Sequence, residues 1–382
     1  MHIVIISYNK FPNGDAGALR EYSLAKLLQS LDHKVTIIGM GNDEFRKKNE
    51  YNGVSYYTLR TQRRGFINKL KNYFYYSKRL KSLVSHFERD IDGFLVVDIP
   101  LNALFMIKKI AKKQKKMLLH DSVEWYSPEQ FKLRQFAPAY VLKNAYNKLF
   151  IDTNFKVIAI SKYLERHFRN RGILAERIPV VFPMKEIHYD KNIEGSKLRL
   201  VYAGSPGKKD YLSVMLKGLS LLDKKEINCI ELQIFGVTQN DIIGQLDQDT
   251  YSKIKDIIVP NGRVTREVVL SYLKKSHFTI ILREPSLRYS KAGFPTKVVE
   301  SLSTGTPVIT NISSDLDEYL IDGVNSIIVA GCSPEEFMLS VSRVLKINEG
   351  RLNKMFVESY KTAKSKFDIY CYKDQIKKLI NS

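Results

Sequence analysis

Lys291-Ala292-Gly293-Phe294-Pro295-Thr296-Lys297-Val298-Val299-Glu300-Ser301-Leu302-Ser303-Thr304-Gly305-Thr306-Pro307-Val308-Ile309 reads as a glycine loop, a helix and a buried strand in immediate succession. Thr296 and Lys297 fall on the first helical turn, where unpaired backbone N–H groups and the positive end of the helix dipole favour a phosphate. Glu300 follows one turn later, on a face that can look back into the same crevice. A diphosphate with a hydroxyl-rich sugar behind it suits these groups.

Outward from this segment, strand-like apolar runs alternate with helical patterns. His2 to Ser7, a helix from about Ala18 to Leu31, and Lys34 to Gly39 set the βαβ rhythm of a parallel sheet, with further strands at Gly93 to Val97, Lys116 to His120 and Lys156 to Ile160. The rhythm restarts at Leu198 to Gly204 and continues through Leu232 to Gly236, Ile257 to Val259, Phe278 to Leu282 and Pro307 to Thr310. Between the two series the chain is polar and aperiodic, which places a linker at 186–197. The sequence thus predicts an α/β protein of two Rossmann-like, doubly wound domains, 1–185 and 198–365, with a C-terminal helix at 366–382 completing the first. Such sheets bind ligands at the carboxyl ends of their strands, so the domains are expected to face a central cleft. Each series opens with a glycine-containing turn after its first strand, Asn13-Gly14-Asp15-Ala16-Gly17-Ala18-Leu19-Arg20 and Gly204-Ser205-Pro206-Gly207-Lys208-Lys209-Asp210. Either turn alone also reads as an ordinary βα connection with solvated lysines.

At 382 residues the chain exceeds what one core usually serves, and 44% hydrophobic with 26% charged residues is ordinary for a soluble globular protein. No apolar run approaches the roughly 20 residues needed to cross a bilayer. Met1-His2-Ile3-Val4-Ile5-Ile6-Ser7 reads as a strand rather than a signal peptide. Cys229, Cys332 and Cys371 lack metal-ligand spacing, and a reducing cytoplasm is the expected location. The net charge of +21 is uneven: residues 1–185 carry 33 Lys and Arg against 16 Asp and Glu, a net +17. That field suits nucleic acid or an anionic membrane. No nucleic-acid reader motif accompanies it, so nucleic acid is not expected as a partner.

With these residues in view, the chain resembles the family 4 retaining glycosyltransferases of GT-B fold, of bacterial surface-polysaccharide type. The resemblance is carried by Gly293 to Ile309 and supported by the Gly14 to Gly17 turn, His120-Asp121, Ile158-Ala159-Ile160-Ser161-Lys162, the Gly204 to Lys209 turn and Gly262-Arg263-Val264. It implies a donor site in which Glu300 accepts from two ribose hydroxyls, and Lys209 with Lys208 stabilises the departing diphosphate without a metal. Ser205, Thr296 and Lys297 would meet the phosphates, Gly17 would offer its N–H, and the backbone at Arg263 and Val264 would hold the base. His120 would lie beside the reacting sugar as a catalytic group, with Arg20, Glu124 and Trp125 on the acceptor side. For His120, Glu124 and Trp125, local packing is the competing reading. No cofactor and no metal site is expected.

One departure stands out. Family members carry two glutamates separated by seven residues, and counting back from Glu300 places Ala292 where the first should stand. Either other groups hold the sugar, or the chain is an inactive subunit partnering an active glycosyltransferase. The retained Lys209, Thr296 and Glu300 favour the first. The resemblance then implies retaining transfer of a hexosyl group, from a UDP-sugar by preference, to a lipid-linked saccharide or polysaccharide in capsule, exopolysaccharide or lipopolysaccharide synthesis. Residues 60–87 interleave Arg60, Arg63, Arg64, Lys69, Lys71, Lys78, Arg79 and Lys81 with an apolar set at helical spacing. This stripe can lie on an anionic membrane or pack on the domain's own sheet. The excess of positive charge favours the membrane, hence a peripheral protein on the inner face of the plasma membrane.

Overall fold

The computed structural model describes residues 1–60, 66–87, 90–193, 195–204 and 209–382. Ser205 and Lys208 therefore lie outside the described residues, as do Arg63, Arg64 and the side chains of Lys69 and Lys71. The chain divides into two compact units. The first comprises Met1–Glu124, Leu142–Pro183 and Asp368–Ser382, and the second Trp125–Val141 and Met184–Phe367.

The first unit is built on β1 (His2–Lys10), β2 (Lys34–Gly41), β3 (Asn49–Tyr51), β4 (Val54–Arg60), β5 (Gly93–Val97), β6 (Met117–Ser122), β7 (Lys156–Ala159) and β8 (Ala175–Arg177). Among the described residues the order is β3-β4-β2-β1-β5-β6-β7-β8, parallel throughout except the β3–β4 pair. Ile3 to Ile6 of β1 are wholly buried, the continuous apolar run expected of a strand covered on both faces. Because β1 has β2 on one side and β5 on the other, the order reverses there and the turn after β1 opens at a switch point. The chain's end belongs to this unit: Ile369, Ile376 and Leu379 join its core, the last two from the helix Lys373–Asn381.

In the second unit β9 (Leu198–Ala203), β10 (Ile230–Phe235), β11 (Ile258–Pro260), β12 (Phe278–Ile281), β13 (Val308–Thr310) and β14 (Ser326–Ile328) form a fully parallel sheet. Its order is β11-β10-β9-β12-β13-β14 among the described residues, with the switch point between β9 and β12.

Two boundaries and one packing face differ from the sequence reading. Trp125–Val141 leaves the first unit for the second because Arg288 captures it. The guanidinium donates from Nε to the Tyr126 carbonyl at 2.9 Å and lies 4.8 Å over the Trp125 ring and 5.2 Å over Tyr140, while the Tyr289 N–H donates to Ser127 Oγ at 2.9 Å. The expected linker is anchored in the second unit. Lys191 Nζ donates to the Leu273 carbonyl at 2.9 Å, to Thr306 Oγ1 at 2.7 Å and to the Ser276 carbonyl, a tethering that hydrophobic periodicity does not reveal. Third, the apolar stripe of the helix Phe66–Phe87 is internal where it is described: Tyr76, Leu80, Leu83 and Val84 are buried, and the Tyr76 hydroxyl donates to the Ser7 carbonyl at 2.9 Å. That part of the stripe packs within its own unit and is not a membrane face.

Candidate functional site

In the second unit the groups gather around Asp210. The chain leaves β9 at Gly204, where a side chain would collide with the Lys297 ammonium and come within 2.8 Å of the Tyr202 hydroxyl. Lys297, on the helix Thr296–Ser303, donates to Asp210 Oδ2, which also receives the Tyr202 hydroxyl at 3.3 Å. Arg283 Nε donates to Oδ1 at 2.8 Å. Arg283 is itself fixed by Asn311, which accepts from its N–H at 3.0 Å and donates to its carbonyl at 2.7 Å. Burial alone would raise the Asp210 pKa, but the charges of Arg283 and Lys297 win and hold it well below the usual carboxylate range. Two cations share one carboxylate, leaving one positive charge in excess. Burial meanwhile lowers the Lys297 pKa, and Asp210 works against that shift.

Beside this cluster the helix Thr296–Ser303 begins after Pro295, which makes no side-chain cap. Its first-turn N–H groups are not claimed by a capping side chain, the arrangement that favours an anion. Glu300 is half-buried and Arg266 Nε donates to its Oε1 at 2.6 Å, so a carboxylate expected to meet ribose hydroxyls already has a cationic neighbour that orients it. Lys209 is exposed, and its carbonyl accepts from the Tyr289 hydroxyl at 3.0 Å. Tyr289 thus connects Lys209 to Ser127. A cavity of about 360 Å³ lies here, lined in part by Glu129, Gln130, Asp210, Tyr211 and Tyr289. Arg263 and Val264 are exposed next to Gly262, whose φ of 61° suits glycine. Ala292, where the family's first glutamate would stand, is fully buried.

The first unit is organised differently. His120 on β6 is fully buried, with Nδ1 3.1 Å from the Val96 carbonyl. A carbonyl only accepts, so Nδ1 carries the proton and Nε2 is left as an acceptor, without a partner among the described residues. Burial, reinforced by the charge of Lys143, pushes its pKa down to about 3. The ring is neutral near neutral pH and can accept from a hydroxyl but not act as an acid.

Arg20 is not an acceptor contact. It is 5% exposed and makes a two-pronged ion pair with Asp121, 2.7 Å in each arm, donating also to the carbonyls of Pro179 and Ile178 at 2.7 and 3.1 Å. Gly17 has its N–H bound to the Asp15 carboxylate at 3.0 Å, an N-terminal cap rather than an offered donor, and a side chain there would meet the Asn9 amide at 2.5 Å. Trp125 is buried beneath Arg288 and offers no open ring face for a sugar, whereas Glu124, in the first unit, is half-buried with its carbonyl 3.4 Å from Asn147 Nδ2. The sequence did not single out Glu21: fully buried, it accepts from Asn9 Nδ2 at 2.6 Å through Oε1, Oε2 has no partner among the described residues, and burial pushes its pKa up to about 8.

Lys297 and Glu300 therefore do share a helix that serves Asp210 and Arg266, while Arg20 and Trp125 belong to the scaffold. Asp210, Arg283 and Arg266 were missed as members of the site. The signal available for Asp210 was its place directly after two lysines. For Arg283 and Arg266 no spacing gave one.

Two doubly wound parallel-sheet units define the GT-B class, and solved structures of that class superpose over the whole chain. Sucrose-phosphate synthase from Thermosynechococcus elongatus does so with a TM-score of 0.75 and 12% identity, covering 100% of this chain and 98% of that one. Anabaena HepE in complex with UDP and glucose gives 0.69 and 12%, covering 99% of each. WaaG, a glycosyltransferase involved in lipopolysaccharide biosynthesis, gives 0.70 and 12%, covering 100% of each. Residues 197–346, all within the second unit, match the model of the family Glycosyl transferases group 1. Two uncharacterized glycosyltransferases of Methanocaldococcus jannaschii are 22% and 28% identical, over 67% and 60% of this chain. The chain spans 65% and 61% of the length of these relatives.

Proposed function

We propose that this protein transfers a hexosyl group from a nucleoside diphosphate sugar to a hydroxyl with retention of configuration. The observation that carries the reading is the uncapped N-terminus of the Thr296 helix beside a cation pair that a single carboxylate only half neutralises. The diphosphate lies against the first-turn N–H groups, Lys209 and the Lys297–Arg283 pair, and Glu300, aimed by Arg266, takes the ribose hydroxyls. As the sugar–phosphate bond breaks, these fixed positive groups stabilise the charge that develops on the leaving diphosphate, without a metal. UDP is the favoured nucleotide, since HepE has been solved with UDP.

The absent first glutamate is compensated from the segment at 125–141. Glu129 and Gln130 border the cavity next to Asp210 and Tyr289 and supply the carboxylate and amide that suit sugar hydroxyls. The acceptor is a lipid-linked saccharide or polysaccharide of surface-polysaccharide synthesis, a reading supported by the likeness to WaaG and by the positive charge of residues 1–185. The protein works peripherally on the inner face of the plasma membrane, in keeping with the fact that no described helix is long and apolar enough to cross it.

Calorimetry with UDP-, GDP- and ADP-sugars tests this reading, with product analysis on acceptor lipids. Binding of one donor class, and a Glu300→Ala variant weakened about tenfold or more, is the expected result. Unchanged affinity in Glu300→Ala removes that assignment. Ala292 keeps a second reading in play, an inactive partner subunit, which donor binding without transfer or hydrolysis would select.

A further inference from the structure

We propose that the second unit carries a second anion site, a pocket near the amino ends of its strands that takes the phosphate monoester of a small organic molecule. The pocket, of about 430 Å³, lies where the helix Pro334–Leu345 hands over to the helix Glu349–Lys366. Its place separates it from the donor groups. Asp322 and Gly323, which stand behind it, belong to the turn leading into β14, at the start of a strand in a parallel sheet, whereas Asp210 follows the end of β9. The pocket shares no lining residue with the cavity beside Asp210.

Positive charge is concentrated here. Arg343 makes a two-pronged contact with Asp322, 3.1 Å to Oδ1 and 2.8 Å to Oδ2, and Oδ1 also accepts from the Ile328 N–H at 2.9 Å. Arg351 reaches the same spot from the next helix. A side chain on Gly323, at φ 73°, would come within 2.7 Å of Arg351 Nη2 and 3.5 Å of Arg343 Nη2. Two guanidinium groups thus converge over one bare glycine and share one carboxylate. Burial works to raise the Asp322 pKa, yet the hydrogen bonds from Arg343 and Ile328 and the charges of both arginines hold it below its ordinary value. The lining itself holds Arg343, Lys346 and Arg351, and no acid among the described residues.

Helix stability does not account for Arg351. Arg343 stands in the last turn of its helix, where the dipole favours a cation, but Arg351 stands in the first turn of the next, where a cation is disfavoured. That turn is already served: Asn348 Oδ1 accepts from the Arg351 N–H at 2.9 Å, and Glu349 supplies the favourable charge. Ser342 is committed too, donating to Glu226 Oε1 at 2.6 Å. What faces solvent is a fork of guanidinium nitrogens beside an apolar wall of Leu339, 63% exposed, and half-buried Ile347. Such forks meet phosphate oxygens two at a time. The volume falls in the range of small-molecule pockets, roughly 300–1,000 Å³, so the wall receives the organic part of the ligand.

Calorimetry on the full chain tests this, with glucose 6-phosphate, inorganic phosphate and glucose as titrants. Glucose 6-phosphate should bind more tightly than inorganic phosphate and less tightly at high salt, and glucose should not bind. Arg351→Gln should weaken glucose 6-phosphate about tenfold or more, with unchanged thermal melting because the side chain is exposed, and with unchanged UDP-sugar affinity. A chain that binds glucose 6-phosphate through Arg351 but no nucleotide sugar would overturn the proposed function and leave this pocket standing. The pocket is overturned if neither phosphate binds, or if Arg351→Gln keeps full affinity. It is equally overturned if affinity is lost in Lys297→Met instead, which would assign the phosphate to the donor site. Equal affinity for glucose 6-phosphate and inorganic phosphate would remove the organic part of the ligand. Flotation with phosphatidate vesicles forms the second arm: flotation that needs Arg351, with no response to glucose 6-phosphate, would overturn the soluble ligand in favour of a lipid phosphate.

Discussion

Both units place charged groups near the carboxyl ends of parallel strands, yet they treat them in opposite ways. In the first, Arg20 and Asp121 are 5% and 0% exposed, and every arm of the contact closes inside the fold. In the second, Arg283, Lys297, Glu300 and Arg266 keep between 13% and 35% of their side-chain surface open around Asp210. A sealed pair holds the scaffold together; a pair with an open rim can exchange one of its partners for a ligand. The difference teaches that ion pairs at corresponding places in the same architecture carry separate tasks, and that exposure tells them apart.

The contrast can be broken most forcefully at Arg20. Arg20→Met leaves Asp121 buried without its partner and should cost about 3–5 kcal/mol of stability, read by denaturant unfolding, with donor affinity per folded molecule unchanged. A loss under about 1 kcal/mol would show that the first unit is not sealed.

Glu21→Gln is the next largest effect and has the opposite sign. Burial pushes the folded-state pKa to about 8, above the ordinary value of 4.5, so the folded state keeps its proton while the unfolded chain releases it. Stability therefore falls as pH rises from about 4.5 to about 8, and glutamine removes that loss. The variant should gain up to about 4 kcal/mol at pH 8 and almost nothing at pH 4, seen as a Tm difference that widens with pH. A pH-independent difference would mean that Glu21 ionises in the fold.

His120 moves the other way. Its pKa of about 3 in the fold against 6.5 makes the folded state lose stability as pH drops from about 6.5 to about 3. With the ring neutral above that window, turnover should show no imidazole limb between pH 5 and 8. The smallest effect separates the two members of the open pair. Arg266→Met should weaken nucleotide affinity only a few-fold, because Arg266 orients Glu300 without touching the ligand, whereas Glu300→Ala loses tenfold or more. Equal losses would assign Arg266 a direct contact.

The βαβ rhythm, the restart at Leu198 and the phosphate-facing helix were legible because hydrophobic period and turn chemistry are local. The resemblance named the GT-B class from the same segments. What escaped depended on distance along the chain. Arg20 meets Asp121 across 101 positions, Asp210 meets Arg283 across 73, and Arg288 meets Tyr126 across 162. No spacing encodes such partners, so Arg20 was read as an acceptor contact and Trp125 as an open aromatic face. The stripe of the Phe66–Phe87 helix failed for another reason: a 3.6-residue period is the same whether the face meets a sheet or a lipid.

The path of the chain between the two units bears on how the protein can be taken apart. It leaves the first unit after Glu124, returns at Leu142, leaves again after Pro183 and returns at Asp368. Neither half is therefore a continuous stretch that can be expressed alone. A fragment ending near residue 185 would lack the Ile369, Ile376 and Leu379 contribution to its core, and would carry Trp125–Val141 stripped of the arginine that covers it.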